Sequence, residues 1–169
     1  MILYQYRGEA SDRDTFVKGI EDLQLSGEDK KYINKAQKRV AILGTELVDN
    51  KVKYAPDAKG SFLFRVEQNE IDERITVLWQ DFTNATGDRL NRLKNKFNNA
   101  VALSDEGRDA LRNFRKKMLI GDLENSEESI SKGSAGVGFV EMALKSEKMS
   151  GRFEPDENGQ TKFSIRFEL

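Results

Sequence analysis

The chain has no cysteine. That excludes disulfides, thiolate metal centres and thiol nucleophiles. It has no histidine either, which removes the usual general base near neutral pH, Ser-His catalytic pairs and most zinc sites. A metal here would be a hard cation with oxygen ligands, such as magnesium. Proline occurs only twice, so no proline-rich linker divides the sequence. No apolar run approaches the roughly 18 residues of a membrane span. An excess of one charge is also lacking, since 28 basic and 29 acidic residues leave a net charge of −1. No global basic field draws the chain to nucleic acid or to anionic lipid. The opening "MILYQYRGEA" has no basic segment leading into an apolar one and no cleavage-like site, so no signal peptide is expected. The expected location is cytoplasmic.

What is present suffices for a folded domain. A chain of 169 residues favours one domain, 1–169, over two. At this length roughly 70% of the unfolded surface is buried without covalent staples. "ILYQYR" (2–7) reads as a short strand. A helix follows from Ser11 or Asp12, with Phe16, Val17, Ile20 and Leu23 on its apolar face. A long helix spans Glu28 to Tyr54, with a stripe of Ile33, Ala36, Val40, Leu43, Leu47, then Asn50, then Tyr54. "APDAKG" ends it. "SFLFRVEQ" (61–68) and "RITVLWQDF" (74–82) alternate as strands around the turn "NEIDE". Two helices come next, Arg89 to about Val101 and Asp105 to about Leu119. Residues 121–136 are polar and rich in Ser and Gly, and read as a mobile loop. A helix from Val137 to Glu147 and a terminal hairpin turning at Asn158-Gly159 complete the chain. The expected class is α/β with at least four hairpin-paired strands and helices packed on one face. The order is not the regular alternation of a doubly wound sheet.

Three elements carry candidate chemistry. The first lies in "ELVDNKVKYA" (46–55). Glu46, Asn50 and Lys53 share one helix face by their spacings of four and three. Asn50 takes a slot on the apolar stripe, and a buried amide without partners costs on the order of 1–3 kcal/mol. Its oxygen suits magnesium. Glu46 can position or deprotonate a nucleophile, and Lys53 can meet phosphate charge. The same spacing also fits a helix edge whose polar residues do no chemistry. Gly44, one turn earlier, either permits close approach of another backbone or is neutral variation. The second element is "SKGSAGVGF" (131–139). Gly133, Gly136 and Gly138 let backbone N–H groups turn toward an anion at a helix N-terminus, beside Lys132. It is neither a Walker A loop nor a dinucleotide fingerprint, and a flexible linker fits it as well. The third is the strand end at Asp81, where a carboxylate can accept from an adenine amino group or simply start a turn. Asn84 competes for that role.

The order ExxxNxxKY, a strand ending in Asp, a glycine-rich segment opening a helix and a final hairpin resembles the Bergerat or GHKL ATPase domain of histidine kinases, Hsp90-type chaperones and anti-sigma kinases. "ELVDNKVKYA" is similar to its N box and "KGSAGVGFVEMALKSE" to its second glycine box. Over nearly the whole length the chain resembles the SiaB family of small bacterial protein kinases. That resemblance implies an α/β two-layer sandwich with a mixed, mostly antiparallel sheet and helices on one face. It implies ATP and Mg2+ as cofactors. Asn50 would hold the metal, Glu46 would be the catalytic carboxylate and Lys53 would contact phosphate. Lys132, Gly133, Gly136 and Gly138 would wrap the phosphates, and Asp81 or Asn84 would meet adenine. The first glycine box DxGxG is missing, because no glycine follows Asp81 before Gly87. The implied activity is phosphorylation of a Ser or Thr on a small SiaC-like, anti-sigma-antagonist-like partner in partner-switching signalling. A homodimer is left open. Lacking histidine, the chain cannot autophosphorylate on that residue.

Overall fold

The computed structural model describes residues 1–54, 61–83, 85–120 and 137–169. The chain divides into two compact units, one of residues 1–85 and 150–169, the other of residues 86–149. In the first unit, strand β1 (Ile2–Gly8) leads through a single 3-10 turn into helix α1 (Arg13–Glu21). Helix α2 (Lys30–Tyr54) and strands β2 (Phe62–Gln68) and β3 (Ile75–Thr83) follow. Strands β4 (Lys148–Pro155) and β5 (Thr161–Glu168) close the chain, β4 starting at the end of the second unit. The sheet order is β1-β2-β3-β5-β4. The sheet is antiparallel, with Phe64 facing Trp79 and Trp79 facing Ile165. The expected α/β sandwich is therefore present, and no described pair is parallel.

Alternation along the strands separates two faces. Phe62, Phe64 and Val66 of β2 and Ile75, Val77, Trp79 and Asp81 of β3 share the buried one. Arg65, Arg166 and Glu67 belong to the other, where both arginines approach the same glutamate. Helices α1 and α2 cover the buried face. Phe16 packs edge-on against Phe62 and Phe64, both with ring centroids 5.1 Å away. Trp79 stacks on Phe62 at 4.6 Å and 17°. Gly44 is what lets α2 sit close: a Cβ there would lie 2.4 Å from Ile20 Cδ1 and 3.2 Å from the Phe64 ring. Gly44 does mark a close approach, but of side chains from α1 and β2 and not of another backbone. At the other end of α2, the Tyr32 hydroxyl donates to the Leu169 carbonyl and accepts from the Ile75 N–H, both at 2.7 Å. That bond pair fixes the first turn of α2 to the ends of the inner strands β3 and β5.

In the second unit, helices α3 (Gly87–Glu106), α4 (Arg108–Leu119) and α5 (Val137–Leu144) pack around Phe97, Ala100, Leu111 and Val140. Phe97 meets Phe139 edge-on at 5.4 Å. The boundary expected at Val101–Asp105 falls instead at Gly107. Its φ of 115° breaks the helix, and its N–H bonds the Leu103 carbonyl. A positive φ is open to glycine at little cost, so one residue ends α3 and starts α4. Arg108 then donates to the Leu144 carbonyl at 2.8 Å and satisfies the end of α5. The final hairpin turns where expected. Asp156 Oδ1 accepts from the N–H of Asn158 and Gln160, and Gly159 has φ 75°. The expected loop 121–136 lies outside the described residues.

Candidate functional site

Helix α2 carries the densest set of candidates. Adjacent residues on a helix differ by about 100° in direction. The buried side runs through Val40, Leu43, Gly44, Leu47, Val48 and Lys51. Asn50 therefore sits at the flank of the stripe and is half-buried, not inside it. The correction follows from the neighbouring Leu47–Val48 pair, which turns the core direction toward Lys51. Glu46 is half-buried and Lys53 exposed, so the three candidates do share one accessible flank. Glu46 also lines a shallow groove of about 350 Å³ between α1 and α2, with Ile20, Glu21, Ala41, Ile42 and Thr45.

The residue that sequence reasoning missed is Lys51. Its ammonium donates to Asp81 Oδ1 at 2.7 Å, and the two side chains are only 1% and 2% exposed. The Phe82 N–H donates to the same oxygen at 2.8 Å. Burial pushes the Asp81 carboxyl above the usual carboxylate range, against the opposing pull of Lys51 and of the Phe82 N–H. The signal was available in the sequence. Lys51 lies four residues after Leu47 and three after Val48, on the apolar side of the helix. A lysine there needs an anion, and the alternation of β3 places Asp81 on the same buried face as Trp79.

The structure thus brings Glu46, Asn50 and Lys53 together on α2 and places Asp81 within an ion pair on the sheet. Gly138 lies in α5 and is exposed, and a Cβ added there would meet nothing within 4 Å. The helix itself therefore does not require glycine at that position. Asn84, Lys132, Gly133 and Gly136 lie outside the described residues.

The donor set can be set against the cofactors expected from the sequence. Among the described residues no three acidic side chains converge as a metal cage. Magnesium commonly takes only one or two protein ligands and completes its shell with water and phosphate oxygens. An accessible amide at Asn50, with Glu46 and Lys53 beside it, fits the phosphate end of a magnesium nucleotide. The base end fits less well, because Asp81 is already engaged. Among the described residues no helix is long and apolar enough to cross a membrane.

The chain matches no protein-family profile and no curated protein. Among solved structures it is similar to a chain of the SiaB–SiaC complex from Pseudomonas aeruginosa. The TM-score is 0.65 at 17% identity, over 99% of this chain and 91% of that one. At that identity the likeness establishes the fold.

Proposed function

We propose that the chain is a SiaB-like, magnesium- and ATP-dependent Ser/Thr protein kinase that acts on a small SiaC-like partner in bacterial partner switching, in the cytoplasm. The observation that carries this reading is the Glu46–Asn50–Lys53 flank on α2, within a fold shared almost end to end with a chain of the SiaB–SiaC complex. Bound magnesium triphosphate supplies a transferable phosphoryl group and the charge neutralisation its transfer needs. Asn50 Oδ1 would hold the metal. Glu46 takes the proton of the partner's hydroxyl at a carboxylate oxygen and orients that hydroxyl. Lys53 would offset phosphate charge.

Thermal unfolding with and without MgATP tests the reading. Ligand at about 100 times its dissociation constant stabilises by roughly 2.7 kcal/mol, a rise of about 5–10 °C for a chain of this size. The rise should require magnesium and should vanish in Asn50→Ala. No rise in the wild type would sink the reading. It would favour a second one, to which the Lys51–Asp81 pair lends weight: a module that sequesters its partner without nucleotide chemistry. In that case the complex with the partner would be indifferent to ATP.

A further inference from the structure

We infer that Lys51 takes Asp81 out of base recognition, so that a nucleotide bound to this chain is held by its phosphates and not selected at its base. The inference rests on the nucleotide-binding reading above and concerns the opposite end of the same ligand. A carboxylate reads adenine by accepting from its exocyclic amino group. At Asp81 that route is closed in three ways. The side chain is 2% exposed. Its Oδ1 already accepts from Lys51 Nζ and from the Phe82 N–H. Its charge is already balanced by an ammonium at 2.7 Å, in a bond where both partners are ionised. An amino group arriving at Oδ1 would also have to displace Lys51, leaving a cation unpaired in the core.

The arrangement follows from the helix. Successive residues of α2 point about 100° apart. Asn50 therefore serves the accessible flank while Lys51 turns inward and seals Asp81. One turn of helix keeps the phosphate-side residue open and the base-side carboxylate shut.

Isothermal titration calorimetry on the full chain decides the matter, with MgATP, MgGTP and magnesium tripolyphosphate as probes. A carboxylate that read adenine would reject guanine, whose corresponding atom is an acceptor, and sites built around such a hydrogen bond discriminate by factors of up to about 10⁴–10⁵. The expected result is dissociation constants for MgATP and MgGTP within about threefold, with tripolyphosphate also bound. The same ratio is expected in Asp81→Asn. Because that variant leaves Lys51 buried without its anion, the double variant Lys51→Met/Asp81→Leu is measured beside it. A preference for MgATP over MgGTP above about tenfold overturns the inference while leaving the kinase reading intact. Failure of all three probes to bind overturns the kinase reading itself, and the inference falls with it.

Discussion

The buried pair between α2 and β3 makes a sharp stability prediction. Replacing Lys51 by Met keeps the helix and most of the side-chain volume but leaves the Asp81 carboxylate in the core with, among the described residues, the Phe82 N–H as its remaining donor. With both side chains no more than 2% exposed, solvent screening is slight. Breaking one side of such a pair costs about 3–5 kcal/mol. For a chain of this size that lowers the melting temperature by about 6–20 °C. Substituting the partner as well, in Lys51→Met/Asp81→Leu, removes both charges and should return stability to within about 1 kcal/mol of the wild type or above it. The pH dependence has a definite sign. Burial already raises the Asp81 carboxyl from its ordinary 3.8, and loss of Lys51 removes one of the two opposing pulls. A carboxyl raised by folding stabilises fully below its unfolded value, and that contribution is lost as pH rises through the folded value. The deficit of Lys51→Met should therefore grow as pH rises through the raised range in which wild-type Asp81 ionises, and level off once Asp81 is ionised in the folded variant. Trp79 is the sole tryptophan and stacks on Phe62 two residues from Asp81. Urea unfolding followed by its fluorescence, from acid to neutral pH, reads the cycle directly. A single variant losing less than about 1 kcal/mol, with no growth of the deficit with pH, would refute the reasoning.

Further outcomes follow from other parts of the fold. Phe16→Ala removes the ring at the centre of the α1–sheet aromatic cluster and should cost about 3–5 kcal/mol by urea unfolding. Gly44→Leu should cost more than about 1 kcal/mol, because the added atoms meet Ile20 and Phe64 and overpacking outweighs the helix propensity gained. A Gly44→Leu variant as stable as wild type would show that α2 does not sit close to the sheet. Arg108→Ala leaves the Leu144 carbonyl without its donor. It should cost about 0.5–1.5 kcal/mol and speed amide exchange at the end of α5 more than in α3. Asn50→Asp should abolish phosphoryl transfer to a partner while leaving the melting temperature within a few degrees of wild type, since Asn50 is at the flank of α2 and outside the core.

Much of the architecture could be read from local pattern. The alternation of β2 and β3, the Asn158-Gly159 turn and the three-four stripe of α2 each depend on neighbours within a few residues. The strands and the turn appear where expected, and the stripe does as far as Leu47. The Gly107 boundary was misplaced because "ALSDEGRDA" keeps helical composition on both sides. Gly107 is the one stop signal in that stretch, and its positive φ makes the break. The flank of Glu46, Asn50 and Lys53 was legible because helix periodicity alone sets it.

The direction in which that flank faces was not legible in the same way. Read from α2 alone, Val48 favours a stripe through Lys51, while a step of three from Leu47 still leads to Asn50. What decides between them is a carboxylate 30 residues further on, brought beneath the helix by the pairing of β3 with β2 and by the glycine at position 44. The sequence by itself determined the elements, their order and the residues sharing each helix face, because those follow from periodicities of two and 3.6. The tertiary structure decided which charges meet. The energy of a buried ion pair depends on distance and on exclusion of water, and neither exists until helix and sheet have closed on each other.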